Sequence, residues 1–81
     1  MRVRIYVFPK HGVLDPQGKT IERSLRTLGY AEVRDVRTGK CVDLELDEAS
    51  RAEAEARVRE MCDKLLANPV IEDYRYEILE N

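Results

Sequence analysis

The chain has 81 residues and a mass of 9.4 kDa, which suits one small domain spanning residues 1–81, because single domains usually run to about 100 to 150 residues. Its 43% hydrophobic and 37% charged residues are typical of a folded chain and exclude a disordered one. A net charge of −2 is the wrong sign for a protein that binds a phosphate backbone, so we expect no nucleic-acid partner.

Cellular location is constrained by the short apolar runs. The longest run, Ile5 to Phe8, is far shorter than the roughly 18 residues of a membrane span or the 7 to 15 of a signal-peptide core. Cys41 and Cys62 lack the C-x-x-C spacing and the density of a disulfide scaffold. We therefore expect a cytoplasmic protein with reduced thiols and no membrane contact.

The first two elements have clear signals. Residues 2–8 alternate apolar and polar side chains, which predicts a half-buried strand that Pro9 ends. Asp15 and Pro16 read as the N-cap and first position of a helix. That helix continues with apolar residues at helical spacing and ends at Gly29; these residues are Ile21, Leu25 and Leu28.

Two further strands are predicted at 33–37 and 40–46, with a turn or bulge at Thr38 and Gly39 between them. In the second of these strands the apolar side chains Val42, Leu44 and Leu46 share one face. The pattern therefore predicts a hairpin or one long bent strand.

The second helix has the strongest signal. Ser50 to Glu53 fits a capping box, and Asn68 followed by Pro69 ends the helix. Between them lies an apolar stripe of Ala54, Val58, Met61, Cys62, Leu65 and Leu66. The closing run 70–79 alternates again and predicts a last strand.

The order β-α-β-β-α-β predicts a two-layer α+β domain of ferredoxin-like arrangement, with two helices on one face of a four-stranded antiparallel sheet. The other sheet face stays open and carries Arg4, Tyr6, Phe8, Asp43 and Glu45. A small chain gains little net stability from its own core, so self-association as a homodimer or higher oligomer is expected. The mixture of aromatic and charged residues suggests Arg4, Tyr6 and Phe8 as the self-association face.

Catalytic and metal sites are not expected. Gly18-Lys19-Thr20 resembles the end of a P-loop, but Val13 stands where the loop needs a glycine, and Pro16 removes a backbone donor. A zinc site would need the single histidine, His11, with two cysteines far apart in sequence. Neither serine is a candidate nucleophile, because Ser50 is explained as a helix cap and Ser24 lies in a helix without a base nearby. Cys41 with His11 stays open as a nucleophile pair, although an exposed strand cysteine is the simpler interpretation.

Three stretches resemble a known family in order and separation: residues 12–19, residues 33–40 and residues 64–74. Read together, they are similar to the PurS family, the small accessory subunit of phosphoribosylformylglycinamidine (FGAM) synthase in de novo purine biosynthesis. Cys41 and the alanine- and arginine-rich start of the second helix depart from the family pattern without touching these stretches.

The resemblance implies a non-catalytic adaptor subunit. A glutaminase subunit releases ammonia from glutamine, and a large synthetase subunit uses ATP with Mg²⁺ to convert formylglycinamide ribonucleotide to the amidine. On this basis the chain binds no cofactor itself, and its partners are a second copy and those two subunits.

We predict that Arg37, Gly39 and Lys40 dock a partner, because Gly39 would permit a positive φ at an exposed turn and the two cations have no predicted ion pair. A solvated turn is the alternative for these three residues.

Two other functions remain open. One is a dimeric regulatory module that binds a small ligand. The other is an RNA-binding sheet with Tyr6 and Phe8 as stacking platforms, which lacks the basic surface such sheets need.

Overall fold

The computed structural model describes residues 1–47 and 50–79. Along the chain it contains strand β1 (Arg2–Pro9), helix α1 (Pro16–Thr27), strand β2 (Lys40–Glu45), helix α2 (Arg51–Met61) and strand β3 (Glu72–Leu79). One π-helical turn, Cys62–Leu66, continues α2. Neither helix within these residues is long and apolar enough to cross a membrane.

Strand β1 is the centre of a three-stranded antiparallel sheet with the order β2-β1-β3. In its register Ile5 lies opposite Val42 and Tyr76 on one face of the sheet. Tyr6 lies opposite Cys41 and Arg75 on the other face. The predicted alternation of β1 is confirmed, since every second side chain points to the same face.

The core lies between the sheet and α2. Val3, Ile5 and Val7 of β1 are at most 1% exposed, and Val58 and Cys62 of the second helical segment are fully buried against them. Ser50 caps α2 as predicted, because its Oγ accepts a hydrogen bond from the N–H of Glu53 at 3.3 Å. On the opposite face the side chains of Arg4 and Asp43 are 38% and 51% exposed, so the described residues leave that face open, as predicted.

The π-helical turn changes which side of the second helix is buried. The N–H of Ala67 donates to the carbonyl of Cys62 at 3.0 Å, an i to i+5 bond that inserts an extra residue into the turn. Leu65 is consequently 81% exposed, whereas Leu66 packs against the core. The predicted apolar stripe is therefore wrong at Leu65.

Helix α1 has the predicted ends. Asp15 is its N-cap and Pro16 its first residue. Gly29 follows the last turn with φ of +105°, and the N–H of Tyr30 donates to the carbonyl of Leu25 at 3.0 Å, which completes a Schellman motif.

Two details of the predicted architecture are wrong, although the α+β class and the ferredoxin-like character are confirmed. Residues 33–37 form no strand: they pair with no strand of the sheet, and the carbonyl of Val33 accepts a hydrogen bond from Nε of Arg26 at 3.0 Å. In addition, the described core that packs on the sheet contains side chains of the second helical segment and none of α1, so of the two helices α2 is the one that covers the sheet. The molecule is consequently elongated and flat, at 49 × 29 × 14 Å.

Candidate functional site

Arg37, one of the three predicted docking residues, is engaged within the chain. Its Nη2 donates to the carbonyl oxygen of Lys10 at 2.8 Å and to that of Val13 at 3.4 Å. Arg37 has no ion pair within 4 Å in the described part of the chain, as predicted, but its guanidinium is held by these two carbonyls and is not free. The guanidinium ties the loop after β1 to the segment that enters β2.

Gly39 and Lys40 differ in what they contribute. Among the described glycines only Gly12 and Gly29 have a positive φ, so the predicted positive φ of Gly39 is wrong. Gly39 instead lies so close to β1 that a Cβ there would sit 2.3 Å from the carbonyl oxygen of Val7. Lys40 is exposed and has no ion pair within 4 Å in the described part of the chain. Docking through Arg37, Gly39 and Lys40 stays a prediction.

Asp15 connects α1 to the segment before β2. Its carboxylate accepts hydrogen bonds from the N–H of Thr38 at 2.7 Å, the hydroxyl of Thr38 at 2.9 Å and the N–H of Gly18 at 3.0 Å. The bonds from Thr38 and Gly18 lower the pKa of the Asp15 carboxyl. A Cβ on Gly18 would lie 2.4 Å from the carbonyl oxygen of Val36, so glycine is required there. These contacts fix the direction in which α1 leaves the sheet.

Sequence reasoning found the cap and missed this connection. Asp15 reads as a local N-cap, and nothing in its spacing from Thr38 indicates a second bond across 23 residues. The one available signal was Gly18, a poor helix former in the first turn, which indicates a close approach of backbone.

The open sheet face is a network of pairs. Arg4 donates to both carboxylate oxygens of Asp43, from Nε at 2.8 Å and from Nη2 at 3.1 Å. The hydroxyl of Tyr6 donates to Oε1 of Glu77 at 2.6 Å, and this bond raises the pKa of Tyr6. Arg4 lowers the pKa of Asp43 through the same ion pair. Self-association through Arg4, Tyr6 and Phe8 stays a prediction, and two of these side chains already have polar partners within the chain.

Exposed apolar side chains lie in two other places. Four of them are on or beside α1: Leu14 (76% exposed), Ile21 (37%), Leu28 (73%) and Tyr30 (52%). A second group surrounds the end of the second helix: Leu65 (81%), Val70 (78%) and Ile71 (44%). No residue of α1 belongs to the described core cluster, so the sheet does not cover these apolar side chains.

The reactive side chains do not converge. Cys41 lines a depression with Tyr6 and Arg75, whereas His11 lies beside Pro9 and Asp35, and no hydrogen bond joins His11 to Cys41 within residues 1–47. Cys62 is buried, and burial raises the pKa of its thiol. Across the described ranges no three His, Cys, Asp or Glu side chains are grouped so that they could hold a metal ion.

Comparisons with known proteins converge on one family. The family model described as PurS, phosphoribosylformylglycinamidine (FGAM) synthase, matches residues 2–80. The FGAM synthase subunit PurS of Bacillus subtilis is 49% identical over 79 residues, which are 98% of this chain and 93% of that protein.

Solved structures agree with the sequence match. The structure of B. subtilis PurS in a C2 crystal form has a TM-score of 0.86 at 49% identity and covers 98% of both chains. A chain in the structure of PurLQS from Thermotoga maritima has a TM-score of 0.87 at 37% identity, covering 96% of this chain and 95% of that one.

Proposed function

The chain belongs to the PurS family of FGAM synthase subunits, and from that premise we propose that it is the non-catalytic adaptor that holds the glutaminase and the ATP-dependent synthetase subunits together. It is thus one subunit of a multisubunit ligase in purine biosynthesis. ATP, Mg²⁺ and glutamine are assigned to the other two subunits. We place the assembly in the cytoplasm, where purine synthesis would draw on these metabolites.

The physical need for an adaptor comes from ammonia. Ammonia released into water is diluted and largely protonated near neutral pH, and the protonated form is not a nucleophile. A subunit that fixes the relative position of two active sites replaces a bimolecular encounter with transfer inside one assembly. Orientation alone can therefore account for the contribution of a chain without its own active site.

One observation carries the proposal: among the described residues α2 packs on the sheet, and α1 contributes no side chain to that core. This arrangement gives a 49 Å long body with an apolar surface on α1 and a separate, polar sheet face. Asp15 and Arg37 hold the two parts in a fixed relation. Two surfaces on one rigid small body suit a protein that contacts more than one neighbour.

Assembly tests the proposal directly. The chain is mixed with the synthetase and glutaminase subunits of the same organism, with glutamine and ATP–Mg²⁺ present, and the mixture is resolved by size-exclusion chromatography with light scattering. We expect one complex that contains all three chains and no such complex when this chain is omitted. Association of the other two subunits without it would contradict the adaptor function.

We also propose that two copies associate through the apolar side of α1. A second copy offers the same exposed Leu14, Ile21 and Leu28, so a twofold arrangement can remove all of them from water. Leu28→Glu should raise the dimer dissociation constant at least about tenfold in sedimentation equilibrium, and Thr27→Glu, one residue away, should not. Phe8→Glu tests the competing open sheet face; dissociation by that variant alone would refute the assignment to α1.

A small-ligand regulatory module is the alternative function. It predicts a rise in melting temperature when amino acids or nucleotides are added, because a ligand at about 100 times its Kd stabilises the folded chain by about 2.7 kcal/mol. The adaptor function predicts no such response from the isolated chain.

A further inference from the structure

A depression of about 550 Å³ lies on the open sheet face, at the end where β1 leaves the sheet. Tyr6 and Phe8 of β1, Cys41 of β2 and Arg75 of β3 line it, with Gly39 and Lys40 at its rim. Tyr6 is paired with Cys41 on one side and Arg75 on the other in the strand register, so these three residues form one row across the sheet.

The carboxylates nearest this row already have partners. Asp43 is bound by Arg4 and Glu77 by the hydroxyl of Tyr6, as described above. Asp73, the neighbour of Phe8 in the register, accepts a hydrogen bond from Nζ of Lys10 at 2.7 Å.

Arg75, the cation in this row, has no carboxylate partner among the described residues. The guanidinium of Arg75 lies over the ring of Tyr6, 4.6 Å from its centroid. No carboxylate of the described residues lies within 4 Å of it, and Lys40 at the rim is likewise without an ion pair there. The stacked guanidinium is thus held in place while its N–H groups remain available, which is the arrangement that binds a carboxylate bidentately.

We propose that this depression docks a carboxylate-bearing segment of one of the other subunits of the complex, with the carboxylate on Arg75 and an apolar part of the segment on Phe8. Two of the three nearby carboxylates, Asp43 and Asp73, are each paired with a cation. Glu77 keeps its charge, because its partner is the neutral hydroxyl of Tyr6. Arg75 and Lys40 have no ion pair within 4 Å among the described residues, so an anionic occupant is favoured at the Arg75 end of the depression. The depression lies on an open sheet, whereas small-molecule sites enclose most of their ligand, so a protein surface fits better than a free metabolite. The inference rests on the adaptor function and adds the chemistry of one of its contacts.

The experiment measures assembly of the full chain with the synthetase and glutaminase subunits by isothermal titration calorimetry at low and high ionic strength. Arg75→Glu should weaken assembly by at least about tenfold at low ionic strength, and the difference should shrink at high ionic strength because salt screens the contact. Arg51→Glu is the matched control: it makes the same charge change on the α2 layer and should leave assembly unchanged. Arg75→Gln, which removes the charge without reversing it, should give an intermediate loss.

Each outcome bears on the assignment. Failure of the unaltered chain to assemble would overturn the adaptor function and this contact together. Normal assembly of the unaltered chain and of Arg75→Glu alike would overturn only the contact. Loss of self-association in Arg75→Glu, measured by sedimentation in the absence of the other subunits, would also overturn it, because the occupant would then be a second copy of this chain. If Arg75→Glu does not fold, judged by circular dichroism, Arg75→Gln decides between the same outcomes.

Discussion

Val58 and Leu65 provide the sharpest test of how the second helix packs. They are seven residues apart, so a regular helix would place both on the same buried stripe. The structure buries Val58 completely and leaves Leu65 81% exposed, because the π-helical turn lies between Val58 and the end of the helix. Truncation to alanine should therefore destabilise the fold at Val58 and have little effect at Leu65.

The expected loss at Val58 follows from what alanine removes. Two buried methyl groups are worth about 0.8 kcal/mol each, and the cavity left behind adds about 1 kcal/mol. The better helix propensity of alanine returns about 0.5 kcal/mol, so Val58→Ala should lower the free energy of unfolding by about 2 kcal/mol. An 81-residue domain has a total of about 4 to 12 kcal/mol, so this loss is easily measured.

Leu65→Ala should change the free energy of unfolding by less than about 0.5 kcal/mol, as is usual for an exposed side chain. Urea denaturation followed by circular dichroism measures both variants, at two protein concentrations so that any contribution of oligomer formation is separated. Equal losses at the two positions, independent of concentration, would refute the placement of the π-helical turn.

Three further outcomes are expected. Cys41 is exposed, whereas Cys62 is buried and its thiol has a raised pKa. A thiol reagent should therefore modify Cys41 quickly under native conditions and Cys62 only on unfolding. Equal rates of modification would contradict the burial of Cys62. The pKa of Asp15 is lowered in the folded chain, so its carboxylate stabilises the fold at pH values above its ordinary pKa of 3.8, and that contribution is lost as the pH falls through the lower folded-state value. Asp15→Asn should accordingly flatten the acid limb of the stability–pH curve, and an unchanged acid limb would be evidence against the connection to Thr38. Gly39→Ala should lower the free energy of unfolding by about 1 to 3 kcal/mol, since its Cβ would overlap a carbonyl oxygen of β1; a neutral effect in thermal unfolding would be inconsistent with that close approach.

Local signals predicted the elements well because they act over a few residues. The alternation of β1, the Asp15–Pro16 start of α1, the Gly29 end and the Ser50 cap all depend on neighbouring side chains and backbone. The same patterns say nothing about contacts across the chain. In the predicted strand 33–37 the apolar residues Val33 and Val36 are three positions apart rather than two, and the backbone of Val33 is bound by Arg26 instead of a neighbouring strand.

In the candidate site, too, local features were predictable from the sequence and contacts between distant residues were not. Exposure of the Arg37 to Lys40 turn was predictable from its composition, whereas the bond from Arg37 to Lys10 O spans 27 residues and has no local signal. The open sheet face followed from period-2 alternation of the strands. Its pairings, such as Tyr6 with Glu77, depend on a strand register that only the folded sheet fixes.

The adaptor function is tested most directly by the source of nitrogen in the complete reaction. Amidine formation by the synthetase and glutaminase subunits is measured with and without this chain, once with glutamine and once with ammonium as the donor. Omission of the chain should abolish the glutamine-supported reaction and leave most of the ammonium-supported reaction. Equal loss of both reactions would contradict a role in transfer between the two active sites, and an undiminished glutamine-supported reaction would contradict the adaptor function itself.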